Sequence, residues 1–477
     1  MSALSDPRKA RAFSFVRRIY SNGEAQLVYA FDDGSELIER IVFPEARPLP
    51  ENRKRALDAA LKLLHLIAGI SYYKAGVPSN IVVDGDGLDT ETAAFMDEVY
   101  LHGLAEFAYH NTLDLRGKIR FPVEATNPSS RHPRESRDPV TSIENVKALD
   151  SRFRGNDKHE ASSIDLPRRT LVPIGGGKDS LVSVEMLKRA HEPATAVWIG
   201  DSALIAACAE RMALPRVNIK RQLAPELFDY NKAGAYNGHI PVTAINSAIL
   251  ICGAIIYGFD AIAFSNERSA SSATLEYEGQ SVNHQWSKGI DFERALRKYT
   301  KSHIAANLDY FSLLRPLSEL AVTRAFSRST NYDDVFSSCN RNFRIRGDKP
   351  ADRWCGQCPK CHFVFLALAP FVSKPRLLGI FGRNLLDDIS LASAFDALLE
   401  YGNHKPFECV GEGQESRAAM FTLSQRSEWK EDAIVARFAD EILPQLDRAT
   451  LRIEPLLEPG GENFVPERLA SLLDATG

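Results

Sequence analysis

Three consecutive glycines stand between an apolar run and a helical pattern in the segment LVPIGGGKDSLVSVEMLKRA, which runs from Leu171 to Ala190. Glycines let the backbone turn tightly and approach an anion closely. The helix that follows directs unpaired amides and the positive end of its dipole at the same place. The segment therefore predicts a strand, a phosphate-binding loop and a helix in that order, which is typical of nucleotide-binding α/β domains.

The residues around the glycines exclude two common phosphate-binding loops. A Walker A loop requires a glycine at the position of Val172 and a hydroxyl residue at that of Asp179. A dinucleotide-binding fingerprint requires a glycine at the position of Ser180. The loop belongs to neither class, and a tight strand-to-helix turn without a ligand is the alternative interpretation.

Strand-like and helix-like patterns alternate from Arg169 onward. We expect strands in the segments RTLVPI, ATAVWIG and AIAFS and at residues 217–220, and helices at residues 180–190, 202–214 and 242–257. This alternation predicts an α/β fold with a doubly wound parallel sheet at residues 167–335. Ligands of such sheets bind beyond the carboxyl ends of the strands, where the glycine loop lies.

Different patterns precede this domain. Asn22-Gly23 and Asp33-Gly34 are strong hairpin signals and predict a three-stranded meander over residues 11–42. Apolar residues at helical spacing predict helices at residues 51–76 and 90–113, so residues 1–125 form an α+β domain. Residues 126–166 are polar, rich in Arg and Asp and without periodicity, which is typical of a disordered insert or linker.

The region after the α/β domain, residues 336–477, combines a cysteine cluster with helical patterns. Four of the seven cysteines crowd into one short segment, at positions Cys339, Cys355, Cys358 and Cys361. Two CxxC steps that share a cysteine, with a fourth thiol nearby, predict a tetrahedral structural Zn²⁺ site. Packed free thiols are the alternative, and His362 is a possible alternate ligand. The segment EDAIVARFADEIL is amphipathic at Ile434, Phe438 and Ile442.

Composition and charge exclude several classes of partner. A net charge of -4 and a pI near 6.3 argue against nucleic acid, which usually requires a basic domain. The most apolar segment is too short and too interrupted to span a membrane. The start of the chain lacks the layout of a secretory signal, so we expect a cytoplasmic protein. The oligomeric state is left open.

The string GGGKDS resembles the SGGxDS loop of the PP-loop ATP pyrophosphatases, with Gly175 in place of the usual serine. In that family the loop binds the pyrophosphate end of ATP, and the enzyme cleaves ATP between its α and β phosphates. The resemblance implies that the end of the second strand lies near the adenine and that Mg²⁺ helps to neutralise the phosphates. The implied ATP-binding residues are Gly175, Gly176, Gly177, Lys178, Asp179, Ser180, Trp198, Ile199 and Gly200.

Further strings extend the resemblance over nearly the whole chain except residues 126–163. They are NGHIPVTAINSA, SNERSAS, VNHQWSKGIDFE, LLRPLSEL, the cysteine cluster and NHKPFECVGE. Together with the glycine loop they resemble the UDP-N-acetylmuramoyl-L-alanyl-L-glutamate epimerases of peptidoglycan synthesis. The resemblance implies ATP-dependent inversion of the terminal glutamate of UDP-MurNAc-L-Ala-L-Glu through a carboxyl adenylate, with release of AMP and pyrophosphate.

Inversion at the α-carbon requires groups that remove and return a proton. The candidates in the matching strings are His284 and Cys409, ranked first, followed by Glu267, His239, Lys288 and Glu408. Glu267 and Asp179 are also candidate Mg²⁺ or phosphate-side residues. Arg268, Arg341 and Lys405 are candidates for binding the substrate's carboxylates or diphosphate. An ordinary surface or core role is the alternative for each.

Three other functions remain open. An amide- or nitrile-forming PP-loop enzyme of the cyano-deazaguanine synthase type would account for the loop and the cysteines, but not for the N-terminal domain. A tRNA-thiolating enzyme conflicts with the acidic charge balance. A non-enzymatic nucleotide-binding protein would fit a glycine loop that has lost its serine. Release of pyrophosphate with candidate substrates distinguishes these functions.

Overall fold

The computed structural model describes residues 6–84, 87–124, 161–277, 279–344, 349–402 and 405–474. The chain divides into two compact units. Unit 1 comprises Met1–Glu160, Ile219–Ile240 and Ala244–Cys252, and unit 2 comprises Ala161–Asn218, Pro241–Thr243 and Gly253–Gly477. Most of the predicted insert lies outside the described residues. The domain boundaries inferred from sequence stay predictions.

Unit 1 begins with the predicted three-stranded meander, which is confirmed. Its strands are β1 (Ala12–Ser21), β2 (Glu24–Phe31) and β3 (Glu36–Val42), and they pair antiparallel in that order. The first turn falls at Asn22 and Gly23, which have φ values of 50° and 79°. Both values are positive, as the tightest hairpin turns require.

Helices of unit 1 cover one face of the meander with apolar side chains. They are α1 (Glu51–Ala68), α2 (Ile70–Tyr73), α3 (Thr90–Gly103) and α4 (Ala105–Asn111), and a strand not expected from the sequence, β4 (Asn80–Val83), pairs parallel with β1. The single helix predicted at residues 51–76 is divided at Gly69. A Cβ at Gly69 would lie 2.4 Å from a ring carbon of Phe15, so this glycine allows the close approach of helix and strand.

Unit 2 contains the glycine loop within an α/β layout. Its first elements are β5 (Thr170–Pro173), α5 (Lys178–Arg189), β6 (Ala194–Ile199), α6 (Ala203–Arg211) and β7 (Arg216–Gln222). They are followed by α7 (Pro225–Lys232), α8 (Val242–Tyr257), β8 (Ala261–Phe264), β9 (Leu275–Tyr277), β10 (Gln280–Val282), α9 (Ile290–Tyr299), β11 (Asp309–Ser312) and α10 (Glu319–Ser327). Parts of β7 and α8, and all of α7, belong to unit 1.

The strands of unit 2 lie in the order β11, β8, β5, β6, β7. The pairs β11 with β8, β8 with β5 and β5 with β6 are parallel. In unit 1 the second half of β7 pairs antiparallel with β3, so the sheet pairing is mixed but mostly parallel in unit 2. An α/β architecture is thereby confirmed, whereas the doubly wound PP-loop layout stays a prediction.

The remainder of unit 2 is helical, as expected. Its helices are α11 (Pro359–Leu368), α12 (Lys374–Phe381), α13 (Ala392–Leu398), α14 (Gly413–Ser424), α15 (Ala433–Arg437) and α16 (Glu467–Asp474). The amphipathic pattern is confirmed because Ile434, Phe438 and Ile442 are all buried. No helix within the described ranges combines the length and apolar character needed to cross a membrane.

Candidate active site

The glycine loop connects the end of β5 to the start of α5. Gly176 has a φ of +78°, and a Cβ at Gly177 would lie 2.8 Å from Ser338 Oγ, so both positions favour glycine. A Cβ at Gly175 would meet nothing within 4 Å, so space does not prevent a serine there. No side chain among the described residues caps α5, which leaves its first amides for another acceptor.

Lys178 lies under this loop and is fully buried. Its ammonium contacts the carboxylates of Asp179 and Glu319, and Glu319 also lies 3.5 Å from the ammonium of Lys360. Burial opposes the charge on Lys178, but the two carboxylates raise its pKa. Burial likewise acts against Glu319, yet Lys178 and Lys360 lower the pKa of that carboxyl to about 2. Lys178 and Glu319 are therefore both charged at neutral pH.

Cys409 forms a second charged pair, with Lys288. The ammonium of Lys288 lies 3.1 Å from Cys409 Sγ. Burial alone would raise the pKa of the Cys409 thiol, but the charge of Lys288 and a hydrogen bond with His284 lower it to about 5. The structure thus brings the two first-ranked candidates, His284 and Cys409, together, with Cys409 as a thiolate at neutral pH.

Glu267 follows β8 and is 5% exposed. It accepts a hydrogen bond of 3.2 Å from the backbone amide of Ala270. Burial and the nearby carboxylates of Glu319 and Asp179 raise the pKa of Glu267 to about 7, against the opposite effect of Lys288. A carboxyl group with this pKa is partly protonated at neutral pH, so it is able to donate a proton that an ordinary glutamate has lost.

Glu408, next to Cys409, is held by two donors. Its Oε2 accepts hydrogen bonds of 2.7 Å from Asn340 Nδ2 and 3.2 Å from the backbone amide of Lys360. Burial raises the pKa of Glu408. Because its Oε2 already accepts two bonds, we interpret Glu408 as a residue that positions Cys409.

Three residues of this region were not among the candidates: Arg315, Glu319 and Lys360. Arg315 is 2% exposed, pairs with Glu293 at 2.8 Å and donates to the backbone carbonyls of Glu267 and Lys288. Arg315 and Glu319 lie in the string LLRPLSEL, which follows β11. Their position after a parallel strand is the signal that would have pointed to them.

The sulfur atoms of Cys339, Cys355, Cys358 and Cys361 all lie within 4.8 Å of one another. Two of the separations are 3.7 Å, from Cys355 to Cys361, and 3.5 Å, from Cys358 to Cys361. Four sulfurs bound to one zinc at about 2.3 Å lie roughly 3.8 Å apart, so this set fits a tetrahedral zinc site. His362 is hydrogen-bonded through Nε2 to the carbonyl of Gly356 at 3.1 Å and is not part of the group.

We call the residues of these contacts the charged cluster: Lys178, Asp179, Glu267, His284, Lys288, Glu319, Lys360, Glu408 and Cys409. Six other predicted residues do not belong to it: Trp198, Ile199, Gly200, Arg268, Arg341 and Lys405. Trp198, Ile199 and Gly200 are half-buried at the end of β6, where Asn218 donates to the carbonyl of Gly200 at 2.8 Å. Arg268 lies beside Gly460 and Gly461, Arg341 is exposed, and Lys405 is 7% exposed. No hydrogen bond or ion pair within the described ranges joins these three basic residues to the cluster. His239 belongs to unit 1, where its Nδ1 lies 4.0 Å from Glu106.

Comparison with known proteins gives a consistent family. A family model described as "MurL N-terminal domain" matches residues 4–313, and one described as "MurL C-terminal domain" matches residues 335–452. A relative from Xanthomonas oryzae pv. oryzae is 54% identical over 472 residues, which cover 98% of each chain. Relatives from Salinispora tropica and a Micromonospora species are each 38% identical, over 98% of this chain and 96% and 98% of their own. All three are named UDP-N-acetyl-alpha-D-muramoyl-L-alanyl-L-glutamate epimerase.

Proposed function

This chain belongs to the family of UDP-N-acetyl-alpha-D-muramoyl-L-alanyl-L-glutamate epimerases, which are isomerases, and from that premise we propose that it inverts the α-carbon of the terminal glutamate in UDP-MurNAc-L-Ala-L-Glu. The substrate is then a small nucleotide-sugar dipeptide, and the product carries D-glutamate for peptidoglycan synthesis. The observation that carries the proposal is the contact of 3.1 Å between Cys409 Sγ and the ammonium of Lys288, in the unit that also holds a glycine loop followed by a helix without a side-chain cap.

We further propose that ATP activates the substrate. A proton on the carbon next to an ionised carboxylate is hard to remove, because the resulting carbanion places a second negative charge beside that of the carboxylate. An oxygen of the α-carboxylate attacks the α-phosphorus of ATP, the bond to the bridging oxygen breaks, and pyrophosphate leaves. The resulting acyl-adenylate has lost the carboxylate charge, and its carbonyl takes up the electron pair that the broken Cα–H bond leaves on the α-carbon. Hydrolysis after inversion releases AMP.

The start of α5 supports binding of the phosphates. The amides beyond Gly177 lack a side-chain acceptor within the described ranges, and the buried ammonium of Lys178 supplies positive charge beneath them. Mg²⁺ would be held by carboxylate oxygens, which it prefers, and Asp179 and Glu319 place their carboxyl groups beside the glycine loop. Bound Mg²⁺ would neutralise charge on the leaving pyrophosphate.

We assign the proton transfer to Cys409 and Glu267. The Cys409 thiolate removes the α-proton, and His284 and Lys288 hold it in the charged form. Glu267, partly protonated at neutral pH, returns a proton to the opposite face of the planar intermediate. After each inversion Cys409 carries the proton that it removed and Glu267 has lost its own. Cys409 must then release a proton to solvent and Glu267 must take one up before the next turnover.

The direct test incubates the protein with UDP-MurNAc-L-Ala-L-Glu, ATP and Mg²⁺ in deuterium oxide. We expect D-glutamate in the hydrolysed product, deuterium at its α-carbon, and AMP with pyrophosphate. The control omits ATP. Inversion without ATP, or turnover that yields ADP, contradicts the adenylate, whereas AMP release without inversion points instead to an amide- or nitrile-forming reaction.

A further inference from the structure

The segment that precedes the first cluster cysteine touches the glycine loop. The backbone amide of Ser337 donates to the carbonyl of Gly176 at 3.0 Å. Ser338 packs so closely on Gly177 that a Cβ there would lie 2.8 Å from its hydroxyl. Cys339 follows directly and is buried. The chain that leads into the four-cysteine cluster is therefore one wall of the predicted phosphate site.

Two residues beside cluster cysteines converge on one carboxylate oxygen. Asn340 follows Cys339, and Lys360 lies between Cys358 and Cys361. The side-chain amide of the first and the backbone amide of the second both donate to Glu408 Oε2, at 2.7 and 3.2 Å. Glu408 immediately precedes Cys409, so the thiolate is placed by a residue that the cluster holds from two sides.

Lys360 also connects the four-cysteine cluster to Lys178, the lysine under the glycine loop, through the carboxylate of Glu319. Its ammonium lies 3.5 Å from Glu319 Oε1, while Glu319 Oε2 contacts Lys178. Lys360 is 6% exposed, and its carboxylate partner is 1% exposed. A buried lysine keeps its charge only beside such a partner, so the position of its side chain depends on Glu319, and that of its backbone on the cluster.

We propose that Asn340 and Lys360 are positioning residues, which transmit the geometry of the four-cysteine cluster to Glu408 with Cys409 and to the pair of Glu319 with Lys178. The inference rests on the proposed function only in that Cys409 is the working thiolate. Zinc, when bound, fixes Cys339 and the start of α11 in one arrangement. Asn340 and Lys360 then stand at the distances from Glu408 that keep Cys409 beside Lys288.

The test measures how fast iodoacetamide modifies Cys409 at different pH values, with the modified peptide quantified by mass spectrometry. Asn340→Leu and Lys360→Met are compared with the wild-type protein, and zinc is measured in each. We expect the pH midpoint of Cys409 to rise by about one unit in both variants, which makes modification roughly tenfold slower below about pH 5, with zinc content unchanged. Asn340 is neutral, so its variant reports position and not lost charge, whereas Lys360→Met keeps the backbone amide that donates to Glu408 and reports the loss of the ammonium.

Lys374→Met is the matched control. Lys374 pairs with Asp432 at 2.6 Å and is half-buried, and it lies outside the charged cluster. We expect its Cys409 midpoint to equal that of the wild-type protein. A second arm removes zinc from wild-type protein with a chelator, retention of the fold being checked by circular dichroism, and there we expect the midpoint to rise as in Asn340→Leu.

Unchanged midpoints in Asn340→Leu and in folded, zinc-depleted protein would overturn the inference, as would purified protein that carries no metal on the four cysteines. The readout needs neither ATP nor the nucleotide-sugar substrate. Shifted midpoints in a protein that does not epimerise would therefore leave the positioning role standing and reject only the proposed function.

Discussion

Cys409 and Glu267 have pKa values that are shifted in opposite directions by their surroundings. Lys288 and His284 stabilise the Cys409 thiolate against burial, whereas burial and the charges of Glu319 and Asp179 keep a proton on Glu267. Pairs of titratable groups separated in this way are typical of acid–base catalysis. The opposite shifts follow from the position of Lys288 and His284 beside Cys409 and from that of Glu319 and Asp179 near Glu267. The types of the two residues alone do not determine them.

Replacement of Cys409 by alanine should abolish most of the inversion. We expect kcat to fall by roughly 10³-fold, which is within the range for loss of a general base. Alanine has no group that could remove the proton from the position that Cys409 Sγ occupies beside Lys288. The rate is measured as the appearance of D-glutamate. Cys252→Ala, at a buried cysteine of unit 1, is the control, and a Cys409→Ala enzyme with wild-type kcat would reject the base assignment.

The pH dependence of kcat/KM should be bell-shaped. Activity rises with pH as the Cys409 thiolate forms, near its pKa of about 5, and falls again as Glu267 loses its proton, near its pKa of about 7. Glu267→Gln should lower the rate and remove the descending limb, because the titrating acid is gone. A descending limb that persists in this variant assigns the upper pKa to another group.

At the scale of single residues, local patterns predicted the glycine loop and the cysteine cluster, whereas Cys409 and His284 became candidates only through the family resemblance. Local patterns did not predict Glu319, which lies 141 positions from Lys178, or Lys360, which lies 41 positions from Glu319. Glycines and paired cysteines carry their signal in short spacing. A single acidic residue or lysine has no such local signal, because its partner depends on how β11, α5 and α11 pack together.

At the scale of elements, the ends of helices and strands were predictable where a proline or a glycine stands next to them. Helix α8 has the predicted bounds, Val242 to Tyr257, because Pro241 precedes it and Gly258 ends it with a φ of +76°. Strand β4 has four residues and exists because it pairs with β1, and the paired strands β9 and β10 have three residues each. Such elements depend on tertiary pairing, which periodicity within the segment does not report.

The loop after β11 should control the geometry of two other elements through Arg315. Arg315→Met removes the donors to the carbonyls of Glu267 and Lys288 and leaves Glu293 buried without its cation. We expect kcat to fall by roughly 10²-fold with little change in KM, together with a loss of about 3–5 kcal/mol in the free energy of unfolding. Steady-state kinetics and urea unfolding measure the two effects.

The double variant Arg315→Met with Glu293→Leu separates the two effects. Replacing both partners of a buried ion pair by apolar side chains costs much less stability than breaking the pair. We therefore expect the double variant to recover most of the stability but not kcat, since the two carbonyls still lack their donor. A double variant with wild-type kcat would show that Arg315 acts on stability alone.

On the scale of the whole molecule, unit 2 carries the glycine loop, the charged cluster and the four cysteines. Its buried carboxyl groups do not contribute alike to stability. Glu415 is 2% exposed and accepts hydrogen bonds from the backbone amides of Glu412, at 2.9 Å, and Leu320, at 3.2 Å. Burial and, among other charges, that of Glu319 raise its pKa from 4.5 to about 7, so ionising Glu415 in the folded state is unfavourable.

Unit 2 should consequently lose stability as the pH rises from about 5 to about 8. The folded state binds a proton at Glu415 more tightly than the unfolded state does, so this contribution is complete below the unfolded pKa of 4.5 and is lost through the folded pKa of about 7. A shift of this size corresponds to roughly 3 kcal/mol. The Glu415→Gln variant has no ionisable group at position 415. Between about pH 5 and about pH 8 its free energy of unfolding should therefore fall by roughly 3 kcal/mol less than that of the wild-type protein.

All four tryptophans, Trp198, Trp286, Trp354 and Trp429, lie in unit 2, so urea unfolding followed by their fluorescence reports on this unit. Glutamine keeps one oxygen acceptor and loses the other, which lowers stability by a similar amount at every pH and leaves the slope as the informative quantity. The contribution of Glu267 is common to both proteins and cancels in the difference. Parallel plots of stability against pH for the two proteins would show that Glu415 is already ionised in the folded state, and that the negative charge of Glu319 is fully offset at this distance by Lys178 and Lys360.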